Sequence, residues 1–262
     1  SVRVVKWDFH QPESGDWAGV LAEADSVIHL AGTPLFKQRW TPSFKEEMSR
    51  SRVEGTRQLV DAIIASKKRP ASFITASAVG IYGTDPSLAA DENAAPADDL
   101  LARICVDWEN QAKRLDAEGL RTAQIRIGIV LSREAGALKE VLPVFKMGLG
   151  GVMGHPDHWM NWIHEEDVAR IFVMALNNEE MRGPYNAVAP TPALTADYYR
   201  TLCRVLGRPC LMKYPPAVIK VMIGEAGEYA SGGAKALSGR LTDAGYTFFF
   251  DKLDKAFENL LG

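Results

Sequence analysis

Three glycines near the middle of the chain have the spacing of a phosphate-binding loop. Gly148, Gly151 and Gly154 form G-x-x-G-x-x-G within the stretch KMGLGGVMG. In dinucleotide-binding enzymes such glycines let backbone amides approach a pyrophosphate, provided that a buried strand precedes them and a helix follows. Here the residues HPDH at 155–158 follow, a composition that is typical of a loop. We therefore predict a flexible loop at this position and no cofactor site.

The same region contains side chains that can bind metal ions. His155, Asp157, His158 and His164 carry suitable nitrogen and oxygen donors. Their spacing matches no standard ligand pattern, and the loop around them has no predicted element to fix it. We predict no metal site, and we expect His164 to cap and pack the helix that it precedes.

An alternation of predicted strands and helices must position the residues that could carry out chemistry in this chain. β-Branched and apolar runs predict strands over 2–7, 26–31, 71–79, 121–132 and 184–189. Apolar residues at helical spacing predict helices over 42–66, 99–118 and 165–177. This alternation is typical of a doubly wound, Rossmann-type α/β fold with a parallel sheet.

The pattern changes after residue 189, where helices are predicted from 195 to about 207, from 215 onwards and over 251–261. We interpret this part as a small, mainly helical C-terminal lobe. The predicted Rossmann domain comprises 1–134 and 162–190, and the predicted lobe comprises 135–161 and 191–262.

Composition excludes several classes of protein. A net charge of −3 without a basic face argues against nucleic acid as a partner. The apolar stretches, such as 217–224, are too short to span a bilayer, so we predict no membrane contact. Cys105, Cys203 and Cys210 form no C-x-x-C pair, which indicates a reducing compartment and a cytoplasmic location.

The first predicted strand, at 2–7, ends in Asp8 and leads to the strand VIHLAG at 27–32. The third and fourth strands of a sheet with the order 3-2-1-4-5-6 follow each other in this way. We therefore expect the first βαβ unit, with its glycine loop, to be missing from this sequence. The strand at 26–31 would then lack a neighbour on one side.

Five stretches follow one another in the order and spacing of a known family. They are VIHLAG (27–32), SRVEGTRQLVDAI (51–63), ITASAVGIYG (74–83), IRIGIVLS (125–132) and NWIHEEDVARIF (161–172). The chain resembles the extended short-chain dehydrogenase/reductases, the NAD-dependent epimerase/dehydratase-like proteins. CVDWE (105–109), LPVFKMGLGG (142–151) and LSGRLTDAGYTF (237–248) make it similar to their atypical "epimerase family" subgroup, also described as cell-division inhibitors.

The resemblance implies a Rossmann fold that binds NAD or NADP. It also implies three groups of cofactor contacts: Asp8 and Phe9 near the adenine, Leu30, Ala31 and Gly32 against the adenosine phosphates and ribose, and Ala76 and Ser77 near the nicotinamide. From the residues alone, the segment 30–32 is more typical of a strand end packed on a helix, and Asp8 is more typical of an ordinary turn residue.

The chain departs from the family pattern where a proton would be transferred. Ala78 stands where extended members carry Ser or Thr, and Arg52 stands where Asn is usual. No tyrosine has a lysine four residues later, although that spacing places an ammonium beside a phenol and lowers its pKa.

Two residues are candidate replacements for the missing acid/base. Glu109 lies on the helix where the lysine is expected, and Tyr82 lies next to the predicted nicotinamide site. The alternative for Glu109 is a solvated or salt-bridged helix glutamate. Cys105 lies on the apolar stripe of the same helix, which favours an inert buried thiol over a nucleophile.

Two functions remain open. The first is an NAD(P)-dependent oxidoreductase or epimerase that acts on a small, unidentified substrate, with nucleotide-linked compounds among the candidates. The second is a cofactor-binding regulatory or interaction protein without catalysis. The sequence identifies neither the substrate, nor NAD against NADP, nor the oligomeric state.

Overall fold

A computed structural model describes residues 2–12, 15–230 and 232–262 of the chain. The described helices are α1 Trp17–Glu23, α2 Pro42–Ala65, α3 Leu100–Ala117, α4 Gly136–Lys146, α5 Glu165–Asn177, α6 Thr195–Val205, α7 Pro216–Ile223, α8 Ala226–Ala230, α9 Gly239–Asp243 and α10 Leu253–Leu261, with a 3-10 helix at Val79–Tyr82. The described strands are β1 Ser26–His29, β2 Ser72–Ala78, β3 Ala89–Ala90, β4 Arg121–Ile127, β5 Ile129–Leu131, β6 Gly151–Met153, β7 Trp159–Met160, β8 Trp162–His164, β9 Gly183–Ala187, β10 Ala193–Leu194, β11 Met212–Tyr214 and β12 Lys235–Ala236.

Four parallel strands form the central sheet in the order β1-β2-β4-β9. One face packs on α2 and α3 through a cluster that includes Val60, Phe73 and Leu115. The other face packs on α5 through a cluster that includes Ile125 and Ile171. Helices on both faces of a parallel sheet confirm the predicted α/β class.

The helices begin where side chains can satisfy their first backbone amides. The Thr41 hydroxyl accepts from the Phe44 amide, and the Asp99 carboxylate accepts from the Ala102 amide. The His164 ring accepts from the Glu166 amide and so caps α5, as expected from the sequence. The first turn of α5 is acidic. These caps explain why the predicted starts of α2, α3 and α5 lie close to the observed ones.

The predicted strand at 2–7 is wrong, because residues 2–8 form no regular element. Val2 and Val4 are almost fully exposed, and Trp7 is the residue that packs inward, against Trp17 and His29. A strand requires a neighbour to hydrogen-bond with, and β-branched residues alone do not supply one. Among the described residues, β1 pairs with β2 and forms the edge of the sheet.

A third hydrophobic cluster lies beyond the carboxyl end of β9. It joins α4, α6 and α10 through buried side chains that include Leu142, Leu202 and Phe257. The same cluster includes Leu131, near the end of the predicted Rossmann segment 1–134, and Trp162, the first residue of the segment 162–190. The two predicted parts therefore share buried side chains at their boundary, and their exact limits stay a prediction. No helix of the described segments has both the length and the apolarity that a membrane span requires.

The glycine run serves chain turns and strand packing. It follows α4, which we did not predict, and Gly148 turns the chain at a φ of +78°. Gly151 then opens β6, which pairs with β11; a β-carbon at Gly151 would overlap the carbonyl of Met212. A helix precedes the run and a turn and β7 follow it, so the arrangement of a pyrophosphate loop is missing there. The predicted flexible loop is in part an ordered strand.

Candidate functional site

A row of polar side chains crosses the carboxyl ends of three neighbouring strands. Ser77 in β2 is paired with Arg126 in β4, which is paired with Asn186 in β9. Laterally paired residues of a parallel sheet point to the same face, so the three side chains lie together on the face that α3 covers. All three are buried. Buried polar groups need partners, and α3 and the 3-10 helix supply them.

Glu109 of α3 forms a buried ion pair with Arg126. The Arg126 Nε lies 2.8 Å from one carboxylate oxygen, and Nη2 lies 2.9 Å from the other. The Ser77 hydroxyl donates to the first oxygen at 2.7 Å. Glu109 is 1% exposed, which places its carboxylate out of contact with solvent. Glu109 is therefore salt-bridged, which is one of the alternatives to an acid/base role that the sequence left open.

Tyr82 lies against the other side of the same guanidinium. Its hydroxyl donates to Asn186 Oδ1 at 2.7 Å and accepts from Arg126 Nη1 at 2.8 Å. Burial raises the pKa of Tyr82, and the positive charge of Arg126 offsets part of that rise. The phenol is therefore protonated at neutral pH and held in one orientation.

Glu92 completes the cluster. Its carboxylate accepts from the backbone amide of Asn186 at 2.8 Å, and its backbone carbonyl accepts from Arg126 Nη1 at 3.2 Å. We refer to Ser77, Tyr82, Glu92, Glu109, Arg126 and Asn186 as the polar network. The sequence prediction missed Glu92, Arg126 and Asn186. A charged residue inside the apolar strand run IRIGIV is the signal that marks Arg126.

The residues predicted to bind the adenosine part of a dinucleotide lie along α2. Leu30, Ala31 and Gly32 directly follow β1 and are exposed, Leu30 to 61%. The carbonyl of Phe9 accepts from the Gln58 side chain of α2 at 2.8 Å. Exposed residues at a strand end, of which Ala31 and Gly32 are small, leave the backbone accessible, so this edge can accommodate an extended ligand such as a dinucleotide.

The other predicted cofactor residues differ in accessibility. Asp8 precedes a turn, and its carboxylate accepts from the His10 amide at 3.0 Å. Ala76 and Ser77 are buried within the sheet, and the Ser77 hydroxyl is bound by Glu109. Buried side chains offer a ligand little surface. The contact of Ala76 and Ser77 with the nicotinamide stays a prediction.

The departures from the family pattern lie next to one another. Cys105 is buried, and burial first, then the charge of Glu109, raises the pKa of its thiol to about 12. The Arg52 guanidinium and a hydrogen bond from the Ala78 backbone act in the opposite direction. A thiol with this pKa is protonated at neutral pH, which agrees with an inert side chain.

Three possible metal ligands come together in the turn that precedes β7. The donor atoms of His155, Asp157 and His158 lie within 4.8 Å of one another, which the sequence prediction did not expect. The two imidazole rings stack at 4.3 Å with 13° between their planes. Stacked rings direct their in-plane lone pairs side by side and not toward one point. The absence of a metal site stays a prediction that titration with Zn²⁺ can test.

Two models of known families match separate parts of the chain. The model of the NAD dependent epimerase/dehydratase family matches residues 3–188. A domain of unknown function, DUF1731, matches residues 214–260. The chloroplastic SDR39U1 homologue of Arabidopsis thaliana, an epimerase family protein, is 34% identical over 251 residues, which cover 95% of this chain and 72% of the relative.

Two solved structures extend the likeness. The human epimerase family protein SDR39U1 (isoform 2), determined with NADPH, is 30% identical with a TM-score of 0.87, over 93% of this chain and 85% of that one. The nucleoside-diphosphate sugar epimerase of Corynebacterium glutamicum is 29% identical with a TM-score of 0.78, over 98% of this chain and 49% of that one.

These likenesses confirm the resemblance that the motifs indicated, the Rossmann-type fold and, at the level of the family, NAD or NADP as the cofactor class. The polar network and the exposed end of β1 lie within the part of the chain that the family model matches. The chain belongs to the NAD dependent epimerase/dehydratase family, among its atypical extended short-chain dehydrogenase/reductases.

Proposed function

We propose that this protein is an NAD(P)-dependent oxidoreductase or epimerase that acts on a small, nucleotide-linked alcohol or carbonyl compound. The observation that carries this proposal is the polar network, which holds the Tyr82 hydroxyl at the carboxyl ends of β2, β4 and β9. Ligands of doubly wound α/β proteins bind at that edge. A sugar-nucleotide epimerase and an NADPH-bound protein among the similar structures support the substrate and cofactor classes.

The cofactor would lie along the exposed end of β1. Leu30, Ala31 and Gly32 offer accessible backbone there, and the turn at Asp8 and Phe9 is tied to the same helix, α2. When bound, the cofactor supplies or accepts a hydride at its nicotinamide ring. The chain itself must orient the substrate and handle the accompanying proton.

Tyr82 is the group that we assign to that proton. Its hydroxyl is protonated at neutral pH, and Arg126 and Asn186 hold it in one orientation. To donate, the phenol must exchange its hydrogen bond with Asn186 for one to the substrate oxygen. Glu109, the second candidate acid/base, binds Arg126 through both carboxylate oxygens. We therefore assign Glu109 to positioning Arg126, and through it the Tyr82 hydroxyl.

A surface cavity next to the polar network is a candidate for the substrate. It has a volume of about 330 Å³ and is lined by the segment after β9, including Ala189 and Pro192, and by the segment of Ala236 and Ser238. Asn186 reaches this wall, because its side-chain amide donates to the Leu237 carbonyl at 2.9 Å. The cavity thus lies between the segment that follows β9 and the segment around α9, and we expect the substrate cleft there.

The test uses the full chain with both cofactors. Binding of NADPH and NADH is measured by calorimetry, and turnover is followed by nicotinamide absorbance with a panel of sugar nucleotides and simple carbonyl compounds. We expect binding and turnover of at least one nucleotide-linked compound. A chain that binds neither cofactor would overturn the proposal.

A specific observation favours the second function, a regulatory or interaction protein that binds NAD(P) without catalysis. Ala78 supplies no hydroxyl, and both Tyr82 and Glu109 are almost completely buried. If this function is correct, the cofactor raises the melting temperature while no compound of the panel is turned over. Turnover that depends on Tyr82 would exclude it.

A further inference from the structure

Arg52 of α2 is a half-buried cation that has no acidic partner among the described residues. Within the described residues, no carboxylate lies in ion-pairing distance of its guanidinium. This contrasts with Arg126, whose buried charge is matched by Glu109. Removing a charge from water is costly unless a partner compensates for it, and burial lowers the pKa of Arg52 accordingly. A half-buried, unmatched guanidinium is a feature that a bound anion would explain.

The side chain is held in a fixed position at the end of β1. Its Nη1 donates to the carbonyls of Thr33, at 3.0 Å, and Met48, at 3.2 Å. Its guanidinium carbon lies 5.5 Å from the centre of the Trp108 ring. Among the described residues, Nη2 and Nε donate to no acceptor. The Nη1 group is therefore anchored, whereas the Nε and Nη2 donors remain available to a ligand.

Gly32 makes room for this arrangement. A β-carbon at Gly32 would lie 3.2 Å from the Arg52 guanidinium carbon and 3.3 Å from its Cγ, closer than side chains normally pack. The cation therefore lies directly beside the backbone of the segment 30–32. This segment is the exposed strand end that we assign to the cofactor.

We propose that Arg52 binds a phosphoryl oxygen of the dinucleotide at the end of β1. The inference rests on the proposed cofactor site, and it adds the residue that supplies positive charge there. Guanidinium groups prefer phosphate oxygens because two parallel N–H donors match two oxygens of one phosphate. The free Nη2 and Nε form that pair of donors. The competing role is structural, in which Arg52 only ties α2 to the chain at Thr33.

The test compares Arg52→Gln and Arg52→Lys with the matched control Arg50→Gln. Arg50 is an exposed arginine on the same helix, so it tests the loss of charge alone. We expect Arg52→Gln to weaken NADPH and NADH binding about tenfold or more, because a charge-assisted hydrogen bond is lost. We expect Arg52→Lys to be intermediate and Arg50→Gln to bind like the wild type. Inorganic pyrophosphate should compete with the cofactor in the wild type and much less in Arg52→Gln.

Salt dependence separates binding from structure. A residue that contacts phosphate contributes to the fall of affinity with ionic strength, whereas a structural tie does not. The slope of log Kd against log salt should decrease in Arg52→Gln and be retained in Arg52→Lys. Wild-type affinity with an unchanged slope in Arg52→Gln would overturn the role of Arg52 while leaving the proposed function intact. If Arg52→Gln does not fold, wild-type affinity and competition in Arg52→Lys would overturn the bidentate contact. Absence of cofactor binding by the wild type would refute the proposed function itself.

Discussion

Arg126 and Glu109 are joined by two hydrogen bonds of 2.8 and 2.9 Å between β4 and α3, and both side chains are almost fully buried. The pair fixes the guanidinium that in turn donates to the Tyr82 hydroxyl. Removal of one partner leaves a buried charge without compensation. The following predictions begin with this pair.

Replacing Glu109 should destabilise the fold. We expect Glu109→Gln to lower the free energy of unfolding by about 3–5 kcal/mol, because Arg126 then keeps a buried charge without a counterion. Urea unfolding measures the change. Glu118→Gln is the matched control, since Glu118 pairs with Arg69 near the surface and should contribute less than about 1 kcal/mol. Equal effects of the two variants would contradict the role of the buried pair.

Removal of the Tyr82 hydroxyl should separate catalysis from binding. We expect Tyr82→Phe to reduce turnover about 100-fold or more and to leave NADPH affinity unchanged, because the hydroxyl is assigned to proton transfer. Stability should fall by about 1–2 kcal/mol, since Asn186 and Arg126 each lose one hydrogen bond. Tyr185→Phe, on the opposite face of the sheet, is the control and should retain turnover. Full turnover in Tyr82→Phe would remove Tyr82 from the mechanism.

His29 should make stability depend on pH. Burial lowers the pKa of His29 to about 4 from its ordinary value of 6.5, so the folded state holds the neutral ring. As the pH falls below about 6.5 the unfolded chain takes up a proton that the folded chain does not, and the free energy of unfolding decreases by about 3 kcal/mol by pH 4. Urea unfolding between about pH 8 and pH 5 should show less of this decrease in His29→Gln. A pH profile of His29→Gln as steep as that of the wild type would contradict this role of His29.

Gly151 should tolerate no side chain. We expect Gly151→Ala to destabilise the protein by about 3 kcal/mol, because its β-carbon would overlap the Met212 carbonyl and separate β6 from β11. In Gly239→Ala the added β-carbon meets no atom within 4 Å, so that variant should change stability by less than about 0.5 kcal/mol. Thermal unfolding compares the two. Cofactor affinity of folded Gly151→Ala should match the wild type; a specific loss of affinity would restore the phosphate-loop interpretation of this run.

Most of the central fold could be predicted because its signals are local. The helix predicted over 165–177 has the observed bounds of α5, since an apolar stripe and an acidic first turn lie within one segment. The segment 2–7 has the composition of a strand but no pairing partner among the described residues. Helix α4 was missed because Pro143 lies inside it and a glycine run follows it. Local composition shows neither whether a strand has a pairing partner nor whether tertiary packing stabilises a helix such as α4.

The site was predicted in part, and the missing part is non-local. Tyr82 and Glu109 were selected through the family resemblance, and the structure brings both to Arg126. Glu92 and Asn186 were missed because they are distant in sequence and meet only when β4 and β9 pair. The charge inside the strand at 126 was visible, but its partner on α3 could be identified only from the packed structure.

The polar network also has a consequence for how the chain folds. Successive residues of a strand face opposite sides, so β4 shifted by one residue would direct Arg126 toward the apolar layer around Ile171. There it would lose Glu109, and Ser77 would lose its acceptor. We expect a misaligned sheet to be penalised by about several kcal/mol, because a buried charge would lose its partner. The charges that organise the site should thus also favour one alignment of the strands during assembly.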